Sequence, residues 1–246
     1  MTTDYDPIAE EYRRAKQQPW RSHIEAYTLD AMLPDLAGKA VIDIACGEGF
    51  YTRRLRQKGA ARVLGVDLSA GMIDLARQQE GAAPLGVDYL VGDGKELAFD
   101  AEFDVAFAAY FLNYAHDRNE LRQMCDAVAR SLKPGGRFIT VNCSPMLDFD
   151  PARSYRQYGF EAKIQGALVE GTPIVWQIFL DDGSTIEIEN YYLDQQIHED
   201  AFRAAGFREV YWRAPKLSPE GEQGFGRDFW KPFLDNPTVA FIDCVK

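Results

Sequence analysis

An α/β sheet wound by alternating strands and helices is the fold that this 246-residue sequence predicts, and three strand ends predict it. The run from Ala40 to Ala45 is apolar except for Asp43. It breaks at Gly47-Glu48-Gly49, ahead of a stretch with helical spacing from Tyr51 to Lys58. Arg62-Val-Leu-Gly-Val-Asp67 is a second apolar run, and it ends in a carboxylate 18 positions beyond Gly49. Val87-Asp-Tyr-Leu-Val-Gly-Asp93-Gly94 is a third, again closed by an acid. Short apolar runs that alternate with helical patterns read as parallel strands joined by crossover helices. Ligands of such open sheets bind where the carboxyl ends of the strands point, so Gly47, Asp67 and Asp93 should converge.

Each strand end carries its own chemistry. A glycine turn between strand and helix aims backbone N–H groups and a helix N-terminus at a ligand. Residues without Cβ let an adenosyl-type ligand lie against the backbone. The nicotinamide and flavin fingerprint G-x-G-x-x-G needs a third glycine where this chain has Thr52, and an acid such as Asp43 within the strand is foreign to it. An acid at the tip of the second strand, roughly twenty residues past the turn, is placed to accept both hydroxyls of a ribose. Charge-assisted bonds of that kind are worth about 1.5–3 kcal/mol each.

The pattern Val41-Ile-Asp-Ile-Ala-Cys-Gly-Glu-Gly-Phe50, taken with Asp67 and Asp93, resembles the class I S-adenosylmethionine-dependent methyltransferases. The resemblance implies a Rossmann-like seven-stranded sheet, mostly parallel with the last strand antiparallel, and helices on both faces. It implies S-adenosylmethionine as cofactor and S-adenosylhomocysteine as its product. The cofactor site it implies consists of Asp43, Ala45, Gly47 and Gly49, then Asp67, Leu68 and Met72, then Asp93, Gly94 and Ala109. Asp93 would reach the adenine exocyclic amine, and the following N–H the ring. In small-molecule members a Tyr-rich N-terminal segment forms a lid over the cofactor, here residues 1–33. Tyr12 and Arg21 match the positions near the methionine carboxylate; ordinary packing of Tyr12 and a surface Arg21 is the competing reading.

The remaining elements follow in order. Ile8, Tyr12 and Ala15 stand at i, i+4, i+7, the spacing of a short amphipathic helix, and a second helix runs from Ser22 to Met32 before Leu33-Pro34. Ser69 caps the helix after the second strand. A fourth strand spans Phe103 to Tyr110. Asp117 caps a long helix to Leu132 with the apolar stripe Leu121, Met124, Cys125, Val128 and Leu132. Lys133-Pro-Gly-Gly136 stops that helix ahead of a fifth strand, Arg137 to Cys143. Residues 144–173 show little periodicity. Ile174 to Leu180 and Thr185 to Asn190 then alternate around Asp181-Asp182-Gly183, a β-hairpin signature. A helix from His198 to Ala205 and two last strands, Glu209 to Arg213 and Thr238 to Val245, complete the pattern, with a Pro/Gly-rich connection between those strands. The chain thus reads as one domain with residues 144–192 inserted as a cap across the cofactor mouth. In the family such insertions make the substrate pocket and sometimes a homodimer contact.

Composition narrows the partners. The sequence is 46% apolar and 26% charged, ordinary for a soluble protein, and no apolar run nears the roughly 20 residues of a membrane span. Met-Thr-Thr-Asp-Tyr-Asp-Pro has neither a basic n-region nor an apolar h-region, so no signal peptide is expected. Cys46, Cys125, Cys143 and Cys244 sit in or beside apolar elements at no metal-ligand spacing, which suits reduced thiols in a cytoplasmic protein and no metal. A net charge of −11 repels phosphate backbones and argues against a nucleic-acid substrate. The cluster Arg53, Arg54, Arg56 and Lys58 reads as a solvated helix face.

Methyl transfer from a sulfonium is an in-line displacement whose electrophile the cofactor supplies. Positioning alone can contribute about 7–11 kcal/mol, so no strong acid–base signature is required. After the fourth strand comes Ala109-Tyr-Phe-Leu-Asn-Tyr-Ala-His116, without the Asn/Asp-Pro-Pro-Tyr tetrad of enzymes that methylate base or glutamine amines. The Pro-Cys pair of cytosine C5 enzymes is also absent, because Cys143 follows Asn142. Aromatic residues and an amide suggest a flat, moderately apolar small molecule methylated on nitrogen or oxygen. Tyr110, Phe111, Asn113, Trp176, Tyr191 and Tyr192 are the candidate substrate contacts. Ala-Cys-Gly-x-Gly-Phe with Phe-Leu-Asn-Tyr-Ala is similar to small-molecule methyltransferases of bacterial secondary metabolism, toxoflavin-type N-methyltransferases among them. Candidate catalysts are Tyr110 and His116, with His198 and the Tyr191/Tyr192 pair behind them; both histidines stand at helix ends. The alternative function is an S-adenosylmethionine-binding regulatory module without turnover, and an NAD-dependent oxidoreductase is a more distant one.

Overall fold

A computed structural model describes residues 14–16, 18–150 and 152–246. The first expected helix, with Ile8 and Tyr12, therefore lies outside the described residues. The strands are β1 (Ala40–Ile44), β2 (Arg62–Asp67), β3 (Asp88–Val91), β4 (Phe103–Ala109), β5 (Leu132–Cys143), β6 (Phe160–Ile164), β7 (Pro173–Phe179), β8 (Thr185–Tyr191), β9 (Glu209–Arg213) and β10 (Val239–Val245). Seven of them form one sheet in the order β3-β2-β1-β4-β5-β10-β9. Strands β1 to β5 pair in parallel, while β10 runs antiparallel to both β5 and β9. This is the mixed sheet that the resemblance implies. Strand order reverses between β1 and β4, and at such a switch point an open α/β sheet leaves its crevice.

The inner strands are buried on both faces, as a doubly covered sheet requires, while the edge strands β3 and β9 are largely exposed. Val41, Val63, Val105, Phe107 and Ile139 face one core with Leu29, Leu55, Trp230 and Phe241. Ile42, Leu64, Val66, Ala106 and Phe138 face the other, with Leu121, Met124, Cys125, Val128 and Phe202. The period-two alternation of each strand supplies both cores at once. The helices are α1 (Tyr27–Met32), α2 (Phe50–Gln57), α3 (Ala70–Ala82), α4 (Arg118–Ser131), α5 (Gln195–Ala204), α6 (Pro219–Phe225) and α7 (Arg227–Asp235). A π-helical segment, Arg21–Ala26, runs straight into α1. Ser69 caps α3 by accepting from the Met72 N–H, and Asp117 caps α4 from the Asn119 and Glu120 N–H groups, as their spacing suggests. The basic residues of α2 are engaged. Arg53 pairs with Glu80, Arg54 and Lys58 with Asp30, and Arg56 donates to the Leu85 and Ala60 carbonyls.

The structure departs from the sequence reading in three places. The segment Lys133–Gly136 is part of β5, with a register shift opposite Phe103/Val105, instead of a loop before it. The Pro/Gly-rich connection between the last strands folds into α6 and α7, which bury Trp230 and Phe233 completely. Pro219 is tolerated there because it occupies the first helical turn, where its missing N–H costs nothing. Third, the hairpin β7–β8 gains a strand, since β6 pairs with β7 in a small antiparallel sheet of order β6-β7-β8. Its inner residues Phe160, Ile174, Trp176, Ile178 and Ile188 join Trp20 and Phe233 in the first core.

Candidate functional site

A cleft of about 370 Å³ opens where β1, β2, β3 and β4 end. Ala45 and Gly47 line it after β1, Asp67, Leu68 and Met72 after β2, Asp93 and Gly94 after β3, and Ala109 after β4. Arg21 reaches it from the π-helical segment, and Asp43 from within β1. Of the described residues named from the resemblance as cofactor contacts, Gly49 alone does not line the cleft. Its φ of +87° and its packing explain the glycine instead: a Cβ would stand 2.3 Å from the Tyr89 hydroxyl. Gly94 is likewise hemmed in, because a Cβ would come within 2.6 Å of the Phe111 ring.

Backbone groups hold the acids in place. The Gly47 N–H donates to Asp67 Oδ2 at 2.8 Å and the Ser69 N–H to Oδ1 at 2.9 Å. A carboxylate offers about four acceptor positions, so each oxygen can take more than one donor. Asp93 Oδ1 accepts from the Lys95 N–H at 2.9 Å. Asp43 is fully buried and accepts from the Thr52 hydroxyl at 2.6 Å; burial pushes its carboxyl up to about 7, against that hydrogen bond and Lys16. At the rim Leu68 remains 64% exposed.

Two non-glycine residues bend into left-handed backbone beside the cleft. Ala45 ends β1 with φ +56° and Tyr110 ends β4 with φ +66°. Such conformations are costly and cluster at functional sites. Tyr110 is pinned by its N–H, which donates to the Val141 carbonyl at 2.8 Å, and Leu112 N–H donates to Asn142 Oδ1 at 2.9 Å. The Tyr110 side chain then meets Glu25, a carboxylate only 2% exposed. Glu25 accepts from the Tyr110 hydroxyl, from the Tyr51 hydroxyl at 2.7 Å and from Arg21 at 3.0 Å. Burial and the Glu25 charge push both phenols well above the usual tyrosine range. Sequence reasoning passed over Glu25 and Tyr51, which also line the cleft. The signal was present: Glu25, Leu29 and Met32 stand at i, i+4, i+7, an acid on an apolar helix stripe.

A smaller pocket of about 50 Å³ adjoins the cleft and shares Arg21, Tyr110 and Tyr114 with it. Trp20, Phe160, Trp176, Ile178, Ile188 and Val239 make it apolar, and Asn113, Cys143, Asn190 and Thr238 add polar groups. Of the candidate substrate contacts the structure brings Tyr110, Asn113 and Trp176 together here. Phe111 lines the larger cleft, and Tyr191 and Tyr192 line neither cavity. Tyr191 is buried with its hydroxyl on Glu189 at 2.6 Å and its ring stacked 4.0 Å from His116. His116 also lines neither cavity; its Nδ1 pairs with Glu120 at 2.7 Å. His198 is buried with Nδ1 on the Asp194 carbonyl at 2.8 Å, and burial lowers its basicity. Its place is a helix end, away from both cavities.

Residues 41–136 match the family model described as a methyltransferase domain. N-demethylindolmycin N-methyltransferase of Streptomyces griseus is 29% identical over 181 residues, which are 69% of this chain and 70% of that protein. A phthiotriol/phenolphthiotriol dimycocerosates methyltransferase of Mycobacterium tuberculosis is 32% identical over 145 residues, 57% of this chain and 51% of that one. Among solved structures, an S-adenosylmethionine dependent methyltransferase from Mesorhizobium loti superposes with a TM-score of 0.64 at 24% identity, over 94% of this chain and 100% of that one. Its likeness speaks for the fold. The strand-end acids, the mixed sheet, the matched domain and these relatives agree: the chain carries a methyltransferase domain, on the fold of the S-adenosylmethionine-dependent methyltransferases.

Proposed function

We propose that this protein methylates a nitrogen or oxygen of a small, planar metabolite, with S-adenosylmethionine held in the large cleft and the acceptor in the adjoining pocket. One observation carries the reading: Arg21, Tyr110 and Tyr114 line both cavities, so their contents would adjoin beside these side chains. The residues of the cleft fit the cofactor. Gly47 carries no side chain, Asp67 presents a carboxylate to a ribose, Leu68 and Met72 offer apolar surface to a purine, and Arg21 offers a cation to a carboxylate. Tyr12, to which the resemblance gives the same role, lies outside the described residues. When bound, S-adenosylmethionine supplies a sulfonium methyl to the acceptor's lone pair.

The chain's own residues orient the acceptor and receive its proton. Trp20, Trp176 and Phe160 give aromatic faces that favour a flat molecule. A proton shed by the acceptor passes to Tyr110 Oη as the proton of Tyr110 moves to Glu25. This relay suits a phenol that burial keeps neutral. His116, paired with Glu120, holds a structural place in this scheme. Residues 144–192, with the small sheet, act as the cap that sets substrate choice, and the indolmycin relative supports a secondary metabolite as substrate. Among the described residues no helix is long and apolar enough to cross a membrane, which agrees with a cytoplasmic place of work. The test is a screen of planar heterocycles and phenols for S-adenosylhomocysteine release. Methyl transfer to any of them supports the reading, and tight cofactor binding without turnover on a broad panel favours the binding module.

A further inference from the structure

The smaller pocket holds a buried amide and a buried hydroxyl that the protein itself does not satisfy, Asn113 and Thr238, beside a buried indole N–H in the same state, that of Trp176. Asn113 lies in a 3-10 turn, Leu112–Tyr114, just after β4 and is 5% exposed. Neither its Oδ1 nor its Nδ2 has a hydrogen-bond partner among the described residues. Thr238, immediately before β10 and 1% exposed, leaves Oγ1 without a partner among the same residues. Both line the pocket, whose remaining wall is largely aromatic and aliphatic. Buried amides and hydroxyls are nearly always paired, and an unpaired one costs its full desolvation penalty. Two in one cavity mark the place where a ligand completes the bonding.

The pattern of these groups specifies that ligand. A carboxamide presents one acceptor and one donor side by side, and its match is a neighbouring donor and acceptor on one edge of a ring. Lactams and amidines carry such an edge. The same two-point pairing lets an asparagine read adenine. Arg21 is the one charged side chain among the described residues of the wall, and its charge is already shared between Glu25 and, in the proposed complex, the cofactor carboxylate. A charged acceptor would therefore enter an apolar pocket with no counter-ion of its own, at high cost.

We infer that the pocket selects a neutral, planar heterocycle with a lactam or amidine edge, which Asn113 holds by two hydrogen bonds and Thr238 by a third. This rests on the reading of the pocket as the acceptor site. It also divides the roles of the ligand's atoms. The edge N–H is bound to Asn113 Oδ1 and is not the atom methylated; the reacting atom lies on another edge, toward Tyr110 and the cleft.

The test uses two single-ring probes, 2-pyridone, which has the lactam edge, and 2-methoxypyridine, which keeps the ring and loses the N–H. Each is titrated calorimetrically into protein saturated with S-adenosylhomocysteine. The lactam should bind the parent at least tenfold more tightly than the ether. Asn113→Leu should bring the two within about twofold of each other at unchanged S-adenosylhomocysteine affinity. Free of ligand, the same variant should melt at a higher temperature, because it removes an unpaired amide. Thr238→Val should weaken the lactam severalfold and supplies the comparison should Asn113→Leu fold poorly. Equal binding of the probes to the parent, no binding of either, or a preference that survives in both variants would overturn the inference. Failure of S-adenosylhomocysteine to bind the parent would instead sink the methyltransferase reading.

Discussion

The Thr52 hydroxyl donates a hydrogen bond to Asp43 Oδ2 at 2.6 Å, tying the first turn of α2 to the strand that precedes it. In a dinucleotide fold the same position is a glycine, present so that helix and strand can pack closely. Here a hydroxyl fills that place and satisfies the buried acid. The departure from the nicotinamide fingerprint is thus a working contact, and it accounts for Thr52 and Asp43 together.

Asp43 should titrate far above an ordinary carboxylate. Burial pushes it up to about 7, so the folded protein binds its proton more tightly than the unfolded chain, whose value is near 4. Its contribution to stability is therefore greatest below pH ~4 and is lost as the pH rises through ~7. Carbon-13 carboxyl shifts should give a midpoint near neutrality for Asp43. Urea midpoints should fall from pH 5 to pH 8 more steeply in the parent than in Asp43→Asn. A midpoint close to 4 would show that the acid stays charged throughout.

Thr52→Val keeps the shape and removes the donor. It leaves a buried acid with one bond fewer and should cost about 1–3 kcal/mol of stability. Denaturant titration near pH 8, where the acid is ionised, measures it. An unchanged midpoint would mean that Lys16 alone accommodates the charge.

Asp67→Asn should weaken S-adenosylmethionine and S-adenosylhomocysteine by about 2–3 kcal/mol, since the ribose bonds lose their charge. NAD should bind neither the parent nor the variant. The asparagine is preferable to alanine because its one acceptor oxygen keeps one of the two bonds that Asp67 accepts from the Gly47 and Ser69 N–H groups, where alanine would lose both. Calorimetry with folded variant decides, and full affinity would remove Asp67 from the cofactor site.

Tyr110→Phe and Glu25→Gln interrupt the same relay at two points. Each should lower kcat by roughly 10²–10⁴ on an acceptor that must lose a proton. Cofactor affinity should stay within a few-fold for Tyr110→Phe, and the double variant should be little worse than either single one. The acceptor found by S-adenosylhomocysteine release serves for the assay. Additive losses would assign the residues separate tasks.

The strand-end acids were legible because a carboxylate at the tip of an apolar strand is expensive unless something uses it. Helix caps were legible for a similar reason, as Ser69, Asp117 and their bonded N–H groups lie within three residues. What the chain hid depended on distance. Glu25 meets Tyr51 and Tyr110 across 26 and 85 positions, and nothing local announces those meetings. Gly49 yields to Tyr89, forty positions on, rather than to a ligand. Helices α6 and α7 were masked by Pro219, Gly221, Gly224, Gly226 and Pro232, whose low propensity the burial of Trp230 and Phe233 overrides. Tyr191 and His116 looked free in sequence and turn out to stack on one another.

Tyr110 and Arg21 border both cavities, so one wall serves two occupants. Thermodynamic linkage makes such a shared wall symmetric: whatever factor an occupant of the cleft imposes on affinity in the pocket, the pocket's occupant imposes in return. Departure of the two products is therefore not tuned independently. A side chain that tightens the grip on one of them alters the residence of the other, and selection acting on this wall sets a single schedule for both.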